Sequence, residues 1–149
     1  MENINNTLEM MKILLAMEYT LLIQTQKYHW NVTGRLFSQL HKLFGKQYKK
    51  LFKLIDRIAE AIRKNGGISP GSIVEFYNYN LNSNYPVKEN LGEVKTNDIK
   101  MVEDLKNNHQ QLIKYIMGIK FLDLADENLI ADILEYHKTS KWMLSSYFE

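Results

Sequence analysis

Residues 36–64 read LFSQLHKLFGKQYKKLFKLIDRIAEAIRK, a run free of proline that stops at Asn65-Gly66-Gly67. Projected at about 100° per residue, Leu40, Leu43, Phe44, Tyr48, Leu51, Leu54, Ile55, Ile58 and Ile62 fill one broad apolar arc. Lys42, Lys46, Lys49, Lys50, Lys53 and Arg57 fill the opposite arc. Only a packed amphipathic helix separates the two classes so fully, so this stretch sets the fold class as all-α.

Working outward, residues from about Thr7 to Val32 repeat Leu8, Leu15, Leu22 and His29 every seven positions, with Met11, Leu14 and Tyr19 nearby. Gly34 suits a left-handed exit from that helix. Both prolines, Pro70 and Pro86, fall between 68 and 95 with Pro70-Gly71, so this region reads as a connection. Ser72 to Tyr77 predicts a short helix inside it, and the Asn/Tyr/Ser-rich piece from Asn78 to Asn84 predicts loop. A third long helix is expected from Thr96 as N-cap, with Asp98 in its first turn and Met101, Leu105, Leu112 and Ile116 on one face. A fourth is expected from Asp126 to Tyr147 through Ile130, Ile133, His137 and Leu144. No alternating apolar/polar run predicts a sheet. The architecture that follows is a four-helix bundle with one long crossover carrying a short helix.

Composition narrows the chemistry. The 149 residues are 45% hydrophobic and 24% charged, as in one ordinary globular domain, and the chain reads as a single domain over 1–149. With no cysteine, disulfides, thiolate metal sites and thiol catalysis are excluded. A formal charge of +2 is too small to argue for nucleic acid from the total alone. The start, Met1-Glu2-Asn3-Ile4, lacks the basic head and apolar run of a signal peptide, and the apolar stretch from Ile13 to Ile23 is too short to span a bilayer; the expected compartment is the cytoplasm. Asn31-Val32-Thr33 matches a glycosylation acceptor, which carries no weight in that compartment.

Four polar residues on these helices could hold a metal. His41 borders the apolar arc; Asp56 and Glu60, four apart, share a face turned toward the basic arc. On an ideal helix Asp56 lies roughly 22 Å along the axis from His41 and is rotated from it by roughly 60°. One mononuclear site cannot use both from one chain. His29 adds a second imidazole. Two imidazoles with two carboxylates suit Fe(II), Mn(II) or Zn(II), and a second subunit packed antiparallel through a two-fold axis would bring one chain's histidines against the other's carboxylates. The bundle di-iron pattern Glu-x-x-His is absent from the sequence. Plainer readings stand beside these: His29 as a helix-end packing residue, and Asp56 and Glu60 as surface ion pairs with Lys53, Arg57, Arg63 and Lys64. Likewise the basic stripe reads as a solvated face, Trp30 and Trp142 as core or interface aromatics, His109 as exposed among Asn107-Asn108 and Gln110-Gln111, and His137 as a core-edge residue.

The stretch Tyr28-His29-Trp30-Asn31-Val32-Thr33-Gly34, continued by Leu40-His41, Tyr48, Asp56-Arg57-Ile58-Ala59-Glu60 and Gly66-Gly67, resembles the Dps family of miniferritins. Ala131-Asp132-Ile133-Leu134 and Lys141-Trp142-Met143-Leu144 look like that family's last helix. The resemblance implies a ferroxidase site shared between subunits, with His29 and His41 from one chain and Asp56 and Glu60 from its partner. It implies a dodecameric hollow shell that oxidises Fe(II), typically with hydrogen peroxide and alternatively with O2, and stores ferric oxide; Zn(II) would compete. Trp30 would supply an electron when one iron is present, and Asp132, with Asp126 and Glu127 close by, would line an iron-entry pore. The competing class is a DNA-compacting protein, for which the start of the chain offers no basic tail. Two positions depart from the family. Gly45 stands where an acid one turn after the second histidine is common, and Ala61 where an arginine is common.

Overall fold

The computed structural model describes residues 2–83, 98–121 and 123–149. Among these residues five α-helices follow in order: α1 Glu2–Asn31, α2 Phe37–Lys64, α3 Ile73–Leu81, α4 Asp98–Ile116 and α5 Leu124–Ser145, with a 3-10 turn at Ser146–Phe148. Among the described residues there is no β-strand. α1 packs along α2, α4 packs along α5, α1 also meets α3 and α4, and α2 meets α5. The four-helix bundle with a helix in its crossover is therefore the observed fold.

The core is built from the stripes that the periodicity picks out. Leu8, Met11, Leu15 and Leu22 of α1, Leu40, Phe44, Leu51, Ile58 and Ile62 of α2, Met101, Leu105 and Leu112 of α4, and Ile133 and Leu144 of α5 are all buried. Lys42, Lys46, Lys49, Lys50, Lys53 and Arg57 are all exposed. The N-cap expected at Thr96 lies outside the described residues.

Two helix boundaries carry information about the site. α1 leaves its last turn through Gly34, whose φ of +102° is left-handed, and a β-carbon there would stand 2.8 Å from the Asp98 carboxylate. This short joint folds α2 back against α1 and sets the last turn of one beside the first turn of the other. α5 begins two residues earlier than expected because the Asp123 carboxylate caps it, accepting from the amides of Ala125 and Asp126.

α3 corrects the expectation of loop from Asn78, since it runs on through Leu81. Asn80 is buried, and its side-chain amide donates to Thr20 Oγ1 at 2.6 Å and to the Ala16 carbonyl at 3.1 Å, both on α1. Phe76 stacks on Tyr19 with ring centroids 4.7 Å apart.

His109 is a second correction. It is fully buried, as is His137, and the two Nδ1 atoms lie 2.8 Å apart. On its other side His137 Nε2 lies 2.6 Å from Oε1 of the equally buried Glu18. Its neighbour Asn108 is buried too, donating its amide to Gln24 Oε1 at 2.6 Å. Burial, and then the charge of the adjacent His137, hold the His109 imidazole well below the usual histidine range.

Candidate metal centre

His29 sits in the last turn of α1 and His41 in the first two turns of α2. The tight joint between the helices lays their rings face to face, with centroids 3.9 Å apart and planes 15° from parallel. Each ring hydrogen-bonds to the backbone of the other residue: His29 Nδ1 is 2.6 Å from the His41 carbonyl oxygen, and His41 Nδ1 is 2.7 Å from the His29 carbonyl oxygen. A carbonyl oxygen can only accept, so both Nδ1 atoms are the donors. In neutral imidazoles this leaves both Nε2 lone pairs free, the tautomer that a metal ligand needs. Phe37 stacks on His41 at 5.3 Å and Tyr48 meets His29 edge-on at 5.3 Å, holding the ring pair from both sides.

The carboxylates stand apart from this pair. α2 is one unbroken helix, so the axial separation of His41 from Asp56 and Glu60 is retained. Asp56 and Glu60 are both exposed. Neither forms an ion pair among the described residues. Arg57 instead pairs with Asp132 of α5 at 3.0 Å, and Arg63 donates to the Gly67 carbonyl. The surface-ion-pair reading of Asp56 and Glu60 therefore finds no partner within the described part of the chain. Nor do three His, Asp or Glu side chains gather as a metal-holding group there. The donor set fits a borderline transition ion such as Fe(II) or Zn(II): two oriented imidazoles at one end of α2, and two uncommitted carboxylates further along it.

Around this set, Trp30 is 65% exposed, so the last turn of α1 points an indole outward rather than into its own core. Trp142 is exposed as well. At the start of α5, Glu127 is exposed, while Asp126 is buried with its carboxylate accepting from the Asn65 side-chain amide at 3.0 Å. Asp132 is engaged by Arg57. The interlocking of each imidazole with the other's backbone could not be read from spacing alone.

The bundle and its crossover helix define a ferritin-like fold. The ferritin-like domain family matches residues 8–149. An uncharacterized low temperature-induced protein of Nostoc sp. is 36% identical over 141 residues, covering 91% of this chain and 75% of that protein. DNA protection during starvation protein 1 of Deinococcus radiodurans is 24% identical over 139 residues, covering 91% and 65%. The fold is similar to that of a Dps protein from Vibrio cholerae O1, described as a member of a broad superfamily of ferritin-like diiron-carboxylate proteins; the TM-score is 0.84 at 21% identity, over 99% of this chain and 92% of that one. The chain belongs to the Dps miniferritins of the ferritin-like family.

Proposed function

We propose that this protein oxidises Fe(II) at sites shared between two-fold-related subunits and stores the ferric product inside a hollow, dodecameric shell, protecting its cytoplasm from oxidative damage. The observation that carries this reading is the reciprocal bonding of His29 and His41, which fixes both imidazoles with Nε2 free. A packing histidine would not need both rings in that one tautomer. Asp56 and Glu60, exposed and in no ion pair among the described residues, would supply the acidic half, and the axial gap along α2 supports a reading in which they serve a neighbouring subunit's histidines.

His29 and His41 present neutral nitrogen donors already oriented, so little ordering is left for binding. Asp56 and Glu60 of the adjoining subunit bring the negative charge that favours the ferric product, and Glu60, with two oxygens, is suited to bridge a pair of Fe(II) ions. Fe(II) is substrate: each of two ions gives one electron, and hydrogen peroxide takes both and leaves as two hydroxide ions, so no hydroxyl radical is released. Trp30, beside His29, would donate the second electron where a single Fe(II) is bound. Glu127 and Asp132 would contribute to the negative field at an iron-entry pore, with Asp126 behind them. Zn(II) competes for the same donors.

A mixing experiment tests the shared site. One variant carries His29→Ala with His41→Ala, the other Asp56→Ala with Glu60→Ala. Each alone is expected to assemble and to oxidise Fe(II) with peroxide at a small fraction of the parental rate. Co-assembled at random in equal amounts, they are expected to recover about a quarter of the sites, because each mixed two-fold pair holds one site with all four ligands. Recovery of no activity, or full activity in either parent variant, rejects the assignment.

A further inference from the structure

Gly45 lies in the interior of α2 and is buried. Its backbone is not left-handed, since Gly34 and Gly66 are the glycines with positive φ among the described residues. Glycine weakens a helix interior, so neither conformation nor propensity accounts for it. Space does. A β-carbon at Gly45 would stand 2.9 Å from Cε1 and 3.1 Å from Nδ1 of His29. The ring cannot slide away at little cost, because its Nδ1–H is held by the His41 carbonyl at 2.6 Å, its face lies on His41 and Tyr48 stands at its edge. Moving it breaks the hydrogen bond that fixes its tautomer.

We propose that Gly45 is a positioning residue for the imidazole pair, its missing side chain being the seat of the His29 ring. Any side chain there weakens metal binding, and that includes a carboxylate which, counted only as a donor, would be expected to strengthen it. The inference rests on the reading of His29 and His41 as a metal half-site.

The assembled full-length protein is titrated anaerobically with Zn(II) alone by calorimetry and with Co(II) alone by visible absorption. The parental sequence is compared with Gly45→Ala, Gly45→Asp and His29→Ala. Gly45→Ala and Gly45→Asp are expected to bind Zn(II) about tenfold or more weakly, with a changed Co(II) spectrum and with the imidazole nitrogen shifts of His29 no longer those of the Nδ1–H tautomer. A double-mutant cycle gives a readout independent of metal. Gly45→Ala is expected to lower the unfolding midpoint in the parental background and to raise it in the His29→Ala background, where the obstructing ring is gone. Zn(II) affinity in Gly45→Ala or Gly45→Asp equal to or tighter than parental, or additive effects in the cycle, overturns the proposal. Parental Zn(II) affinity in His29→Ala instead overturns the metal-site reading beneath it.

Discussion

Glu18, His137 and His109 come from α1, α5 and α4 and meet with no access to water. Two Nδ1 atoms 2.8 Å apart have room for one proton between them, and the buried His109 Nε2 has no partner among the described residues, so a charged His109 would find no acceptor for its further proton. Its imidazole therefore ionises well below 6.5 when folded and near 6.5 when unfolded, with burial the larger cause and His137 the smaller. Below pH 6.5 the unfolded chain binds a proton that the folded one refuses, so stability falls as pH drops, by at most about 1.4 kcal/mol per pH unit from this residue. Urea midpoints measured from pH 7.5 down to 5 should show that slope, and His109→Gln should flatten it. Glu18→Ala, which leaves the buried His137 Nε2 unpaired, is expected to cost about 3–5 kcal/mol at neutral pH in the same assay. The sequence exposes half of this cluster to view. His137 keeps step with Ile130, Ile133 and Leu144, whereas the amides flanking His109 mimic a solvated face, and only the partner Gln24 makes burial of Asn108 tolerable.

α3 shows where local chemistry decides an element and where it does not. Its start is written in the sequence: the Ser72 hydroxyl accepts from the Glu75 amide while the Glu75 carboxylate accepts from the Ser72 amide, a reciprocal cap. Those bonds, with the Gly71 amide, also hold the Glu75 carboxyl below its usual range. Ser72→Ala should destabilise this helix by about 1 kcal/mol, detectable as faster amide exchange at residues 75–79 while α1 and α2 remain protected. Its end is not legible, because Asn78-Tyr79-Asn80 has the composition of a turn. Two hydrogen bonds from Asn80 to α1 and the Phe76–Tyr19 stack outweigh that local preference. α2 is the opposite case. Its length, its buried face and its basic face are all in the periodicity, since burial on one side and solvation on the other are what periodicity encodes. The His29–His41 interlock depends instead on how a five-residue joint orients two helices, which spacing does not encode.

At the scale of the whole molecule, Trp30, Phe52, Ile73, Leu124 and Trp142 are each at least 60% exposed, apolar surface that the proposed shell would have to cover. Among the described residues, the exposed row from Lys42 to Arg57 favours nucleic acid. Its five lysines, with Arg57 already engaged by Asp132, would bind DNA by counterion release, so gel-shift affinity should fall with a log–log salt slope no steeper than about −5 and vanish near physiological salt. Tight binding that survives such salt would move DNA compaction ahead of iron oxidation.

A single unbroken rod, α2, carries an imidazole station near one end and an acidic station toward the other. On the shared site proposed above, every protomer would be both lender and borrower, and an isolated one would be catalytically mute although chemically complete. Turnover per subunit should consequently depend on total concentration, holding constant while neighbours stay joined and collapsing on dilution past the point where they part, with no change in the fold of either.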